Sequence, residues 1–154
     1  MKHGLDLNCD LGEWESPQRT RALMRHITSA NVACGGHAGD TRTMTRCVRL
    51  AREFGVRLGA HPGLPDRTGQ GRAPARVSPD ELEALLREQV GALAAIARAE
   101  GVRLHHIKLH GALYHATEQH PRLARRYLSV VGRHWPGVVI YALAGGRVAT
   151  RASR

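Results

Sequence analysis

With 154 residues, 42% of them hydrophobic and 23% charged, the chain is one domain by size and has enough apolar surface to bury a core. No apolar run approaches the ~20 residues of a membrane span, and the opening MKHGLDLNCDLGE lacks the apolar stretch of a signal peptide, so a cytoplasmic protein without a membrane partner is expected. The net charge of +10 is almost wholly arginine, since Lys2 and Lys108 are the two lysines. These arginines are spread along helix-like segments without interleaved aromatics, which argues for a solvated surface and against a nucleic-acid partner.

The three cysteines, Cys9, Cys34 and Cys47, are odd in number and fit no zinc spacing, consistent with a reduced setting. In chain order the pattern alternates strand and helix, the mark of a parallel sheet or barrel. A first strand over 4–10 leads through an irregular stretch to a helix near 19–26. A second strand covers 27–34. After GGHAG, Asp40 can cap a helix over 41–55 that Gly55 stops. The third strand, 56–60, opens a long Gly- and Pro-rich loop over 61–77. The strongest helix signal follows over 78–101: Ser78 as cap, Pro79 in the first turn, Glu81 completing a capping box and Gly101 at the end. A fourth strand spans 102–110, a helix lies around 120–134, and a fifth strand covers 137–145.

The strand ends share a feature. The first leads into Asn8 and Asp10, with Glu13 close behind. The second leads into Asn31, then Gly35, Gly36, His37 and Asp40. The third ends in His61, Pro62 and Gly63, and the fourth in Lys108, His110 and Gly111. Four strands thus deliver a titratable or amide group beside a small residue at one end, where parallel α/β folds place their chemistry. Lys108 stands out as a compact, tunable charge in an arginine-rich chain.

Each residue also has an ordinary structural explanation. Asp40 can be a helix cap, Glu13 a loop carboxylate and His61 a solvated strand end. His105 and His106 lie inside the fourth strand, where alternation sends them to opposite faces. His3, His26, His115, His120 and His134 read as surface residues. Two chemistries fit the joint pattern. His37, His61 and His110 with Asp10 could hold a divalent metal, or the same groups could act as general acid and base around a polarised carbonyl. No GxSxG elbow and no GxxxxGK[ST] phosphate loop occur. The GQGR turn, Gly69 to Arg72, offers an arginine for an anion.

Four segments, LDLNCDLGE, SANVACGGHAGD, GAHPGLPDRTGQGR and HHIKLHGALY, together resemble the LamB/YcsF family, the A subunit of bacterial 5-oxoprolinase, over nearly the whole chain to about Gly145. The resemblance implies an α/β fold, a distorted (β/α) barrel of the glycoside hydrolase/deacetylase type. Here it is incomplete, with about five strands over residues 1–145 and an atypical basic tail over 146–154. It implies ATP-dependent hydrolysis of 5-oxo-L-proline to L-glutamate, with separate B and C subunits as partners. On this reading Asp10, His37, His61, Lys108 and His110 are catalytic. Asn8, Glu13, Asn31, Asp40, Arg72 and Tyr114 contact substrate. Lys108 or Arg72 would hold an anionic oxygen.

Two positions depart from the family pattern. Leu109 stands where proline is usual, implying a looser approach to His110. Gly36 stands where a bulkier residue, often Phe, is usual, implying a wider pocket. Family members continue past the fifth strand, so an exposed edge on that strand and a truncated chain are expected. Two alternatives follow: a metal-dependent amidohydrolase or deacetylase acting alone, and an inactive fragment that retains partner binding.

Overall fold

A computed structural model describes residues 5–74 and 76–153. His3 lies outside the described residues. Five strands form one parallel sheet: β1 (Asn8–Leu11), β2 (Ser29–Ala33), β3 (Arg57–His61), β4 (Leu104–Lys108) and β5 (Val139–Tyr141). They are hydrogen-bonded in chain order, with no reversal. That order belongs to a (β/α) barrel; a doubly wound sheet would reverse at a switch point. Six helices connect and flank the strands: α1 (Pro17–Met24), α2 (Thr41–Phe54), α3 (Pro79–Ala99), α4 (Gly111–Gln119), α5 (Pro121–His134) and α6 (Arg147–Ala152).

Local chemistry sets the boundaries. Asp40 and Thr43 form a reciprocal cap at the start of α2, and Gly55 ends it in the left-handed region at φ 66°. Ser78 and Glu81 cap α3 in the same way, with Pro79 in the first turn. The segment after β4 contains two helices where one was expected. Pro121 cannot donate within a helix and pushes His120 to an extended conformation, so α4 stops and α5 begins there. The basic tail also coils, as the short α6, and buries Val148.

The two faces of the sheet differ in kind. Leu11, Val32, Ala60, Ile107 and Ile140 occupy one row of the register on the helix side. With Leu58 and Ala30 they join Leu82, Leu86, Val90, Leu93, Tyr127 and Val130 of α3 and α5 in a continuous core. The opposite, concave face carries Asn8, Asp10, Asn31, His61, His106 and Lys108, which bond to one another. Asp6 closes its lower end, accepting from Ser29 Oγ at 2.8 Å, from the Arg57 guanidinium at 2.7 Å and from the Tyr141 hydroxyl.

A register shift between Leu58 and Gly59 against β4 corrects one sequence expectation. The bulge takes up His105, so His105 and His106 approach each other, Nδ1 to Nδ1 at 3.2 Å, instead of pointing to opposite faces. His106 is fully buried and stacks on Tyr141 at 4.0 Å. Gly59 makes its place: a Cβ there would lie 2.0 Å from His106 Nε2. No helix among the described residues is long and apolar enough to cross a membrane.

Candidate active site

The C-terminal ends of β1, β3 and β4 meet around Asp10. Lys108 Nζ donates to Asp10 Oδ1 at 2.7 Å, and Asn31 Nδ2 donates to the same oxygen at 2.7 Å. Asp10 Oδ2 lies 3.3 Å from His61 Nε2. Burial alone would raise the Asp10 carboxyl; the neighbouring His61 ring and the hydrogen bond and charge of Lys108 outweigh it and hold the group well below the usual carboxylate range. Asn31 is the hub beneath: its Nδ2 also donates to Asn8 Oδ1 at 2.8 Å, and its Oδ1 accepts from His106 Nε2 at 2.7 Å. Burial depresses His106 to about 3, so it sits neutral and donates.

Beside this lies a layer of three histidines and one carboxylate. His37 and His110 stack with centroids 3.6 Å apart and planes 5° from parallel, and His61 stands edge-on to both. Glu13 Oε1 lies 2.9 Å from His37 Nε2 and 3.6 Å from His110 Nδ1. Burial would raise the Glu13 carboxyl as well, but the His37 hydrogen bond and the neighbouring imidazoles bring it below its ordinary value. Desolvation pushes His110 down to about 4. Glu13, His37, His61 and His110 offer ligand atoms within 4.8 Å of one another, a group that could hold a metal ion.

Loops supply the rest of the frame. Gln70 and Gly71 adopt φ of 53° and 62°, a left-handed turn that sets the Gln70 carbonyl oxygen 2.8 Å from His110 Nε2. Glu15 accepts from the backbone N–H groups of Gly12 and Glu13, at 2.6 and 3.1 Å, and so shapes the loop that presents Glu13. A pocket of about 390 Å³ opens above the cluster, lined by Asp10, His61, Arg72, Lys108, His110 and Tyr114 among others. An adjoining pocket of about 390 Å³ shares Lys108 and Tyr114 and adds Asp6, Asn8 and Tyr141.

The structure brings Asp10, His37, His61, Lys108, His110 and Glu13 into one cluster, with Arg72 and Tyr114 at the pocket wall. Asn8 reaches the adjoining pocket. Asn31 lies fully buried beneath Asp10 with its amide engaged by protein groups, so it positions the carboxylate. Asp40 stands apart: it is exposed, and its carboxylate is spent on the cap of α2. Gly36 does not widen this pocket. A Cβ there would lie 2.4 Å from the Gly63 carbonyl oxygen and 2.5 Å from Gln89, whose amide fills the space and pairs with both backbone groups of Gly63. Leu109 is buried in the core. His26, His115, His120 and His134 are exposed, as expected of surface residues. Sequence reasoning missed His106, Tyr141, Glu15 and Gln89. The polar glutamine at a core-facing position of α3 was the one available signal.

Comparisons with known proteins identify the family and match the fold. The LamB/YcsF family model matches residues 5–154. The 5-oxoprolinase A subunit of Bordetella pertussis is 45% identical over 148 residues, which cover 94% of this chain and 59% of that protein. The protein of the same name from Symbiobacterium thermophilum is 49% identical over 144 residues, covering 92% and 55%. The crystal structure of a lactam utilization protein from Thermus thermophilus superposes with a TM-score of 0.88 at 39% identity, covering 97% of this chain and 62% of that one. The chain therefore spans about three fifths of the length of the relatives it matches. With the family model matched over residues 5–154 and the lactam utilization protein superposing on 97% of the chain, the chain belongs to the LamB/YcsF family.

Proposed function

We propose that this chain acts as the A subunit of an ATP-dependent 5-oxoprolinase, opening 5-oxo-L-proline to L-glutamate with conversion of ATP to ADP and phosphate, together with B and C subunits. The observation that carries this reading is the half-buried Asp10–Lys108 pair with buried His61 at the floor of the pocket, in a chain whose relatives bear the name of the 5-oxoprolinase A subunit. Opening a lactam breaks an amide C–N bond, adds water oxygen at the carbonyl carbon and requires a proton on the departing ring nitrogen. A five-membered ring re-closes readily, so ATP supplies the drive: a phosphoryl group on the lactam oxygen activates the carbonyl carbon towards that water, C–N cleavage leaves an acyl phosphate, and a second water displaces phosphate to give the carboxylate.

Within this chain, Lys108 and Arg72 hold anionic oxygens: the substrate carboxylate, and the oxygen on which charge develops. Asp10, kept ionised, fixes the Lys108 ammonium in place. Strand-end carboxylates and imidazoles beside Lys108 position the lactam and manage the proton that the ring nitrogen receives. The sequence has no phosphate-cradling glycine loop of the GxxxxGK[ST] type, so the nucleotide is held by another device or by a partner protein.

The test is glutamate release from 5-oxoproline by the 154-residue chain with ATP and the B and C subunits, run beside a full-length relative. ATP-dependent glutamate that disappears in His110→Ala and Lys108→Ala supports the reading. No glutamate from this chain beside an active control overturns it. The second reading, a metal-dependent amidohydrolase acting alone, is favoured by the Glu13–histidine group. Glutamate formed without ATP or partners would select it.

A further inference from the structure

His61 and His110 face each other in a way that hydrogen bonding among the described residues leaves unresolved. His61 Nδ1 lies 2.7 Å from the Lys108 carbonyl oxygen, and His110 Nε2 lies 2.8 Å from the Gln70 carbonyl oxygen. Carbonyl oxygens only accept, so both of these outer nitrogens carry hydrogen. In a neutral imidazole the other nitrogen is then bare. His61 Nε2 and His110 Nδ1 therefore aim lone pair at lone pair across 3.0 Å, in rings that are almost wholly buried. The oxygens nearby are acceptors too: Asp10 Oδ2 is 3.3 Å from His61 Nε2, and Glu13 Oε1 is 3.6 Å from His110 Nδ1.

A cation between the two nitrogens turns this conflict into coordination. Metal-binding imidazoles characteristically donate their second N–H to a carbonyl or carboxylate, as both rings do here. Two imidazoles and one carboxylate suit zinc and its neighbours.

We propose that His61 Nε2, His110 Nδ1 and Glu13 Oε1 hold one divalent cation of the zinc class, with a further coordination position open towards the Asp10–Lys108 pocket. The sequence pattern suggested Asp10 as the carboxylate of such a set; the geometry favours Glu13, whose ligand atom lies within 4.8 Å of those of all three histidines, while Asp10 Oδ1 is taken by Lys108 and Asn31. His37 is assigned a positioning role. Its Nδ1 is buried against Gly63 without a partner among the described residues, where a Cβ on Gly63 would come within 2.4 Å. Ligation through Nε2 would put the hydrogen on Nδ1 and bury an N–H with no acceptor, a costly arrangement. Donation of Nε2–H to Glu13 Oε1 at 2.9 Å leaves a bare lone pair instead and orients the carboxylate.

Metal binding at this site does not depend on lactam chemistry, and its test reads metal, not glutamate. The full chain is stripped with a chelator, dialysed and titrated with Zn²⁺ by calorimetry, and its Co²⁺ complex is examined by visible absorption. The expected result is one ion per chain with micromolar or tighter affinity, and an intense Co²⁺ spectrum of low coordination number. His61→Ala and His110→Ala should abolish binding, His37→Ala should weaken it by about 10- to 100-fold, and Asp40→Ala should leave it unchanged. The wild-type Co²⁺ spectrum keeps the test independent of whether the variants fold. A weak, octahedral spectrum, millimolar affinity, or a doubly protonated His61 seen by nitrogen NMR with no metal uptake would overturn the site. Loss of binding in His37→Ala as complete as in His61→Ala would overturn the role given to His37.

Discussion

Ile107 and Lys108 are neighbours on β4, yet they belong to different parts of the molecule. Ile107 is fully buried on the helix side, in a row with Leu11, Val32 and Ala60. Lys108 turns to the concave side and pairs with Asp10 across the barrel interior. The convex side is held by apolar burial, which is non-directional and forgiving of shape. The concave side is held by hydrogen bonds and ion pairs that leave each group in a defined protonation state and orientation. The difference teaches that the same five strands put an apolar core on one face and a polar, titratable cluster on the other, so single substitutions should be able to disturb one without the other.

The largest effect on stability is expected on the convex side. Ile107→Ala removes a fully buried side chain and should cost about 2–5 kcal/mol, read as a lower urea midpoint with an unchanged slope. If its folded fraction still binds metal as the parent does, the separation of faces holds.

Next is Gly59→Ala, which tests whether the concave side is packed as tightly as the core. The added methyl would meet the His106 ring at about 2.0–2.3 Å, so overpacking of about 1–3 kcal/mol is expected. Displacement of His106 would also disturb Asn31 and, through it, Asp10. A variant as stable as the parent would show that His106 has room the geometry denies.

Acid provides a graded test. His106 has a folded-state pKa of about 3 against an ordinary value of 6.5, caused first by burial and then by neighbouring His105. The unfolded chain therefore binds a proton that the folded chain refuses, and stability falls as pH drops from 6.5 towards 3. Each pH unit traversed removes about 1.4 kcal/mol from that group's contribution. His105, Asp6 and Arg57 face the same ring and set its surroundings. Above about pH 4.5 the carboxylates contribute little, and His110, held down to about 4, adds a like slope, so His106→Gln should roughly halve the slope of the stability profile between about pH 6.5 and about 4.5. An unchanged slope would contradict a neutral buried His106.

The smallest effect is expected at Asp40. Asp40→Ala removes the cap of α2 and should lower the melting temperature slightly, with no change in metal binding or glutamate formation. A loss of activity would bring Asp40 back into the site.

Much of this arrangement was legible in the chain. Strand-then-helix alternation, the caps at Asp40 and Ser78, and the glycine-flanked groups at four strand ends are local signals, and local signals are what a sequence carries directly. The concentration of Asp10, His61, Lys108 and His110 followed from one topological rule about parallel strands. What escaped depends on cross-strand register. The bulge at Leu58/Gly59 reverses the alternation expected for His105; Gly59 is a residue type common at bulges, but a lone strand glycine does not say which partner strand shifts. His106 and Tyr141 meet across two strands, and Asn31 is buried because three strands close over it. Gln89 reaches Gly63 from a helix 26 residues further along the chain, a contact set by packing alone. The choice between Asp10 and Glu13 as metal-facing carboxylate likewise rests on distances that spacing in the sequence does not encode.

The most direct test of the central claim is ATP-dependent glutamate formation by Lys108→Met, with B and C subunits present, measured beside its melting curve. The expected result is a loss of about 100- to 1,000-fold, the scale for removing one charge-stabilising donor, with a cooperative melt close to the parent's. Activity near the parent's level in that variant would show that the concave-face lysine is not part of the chemistry.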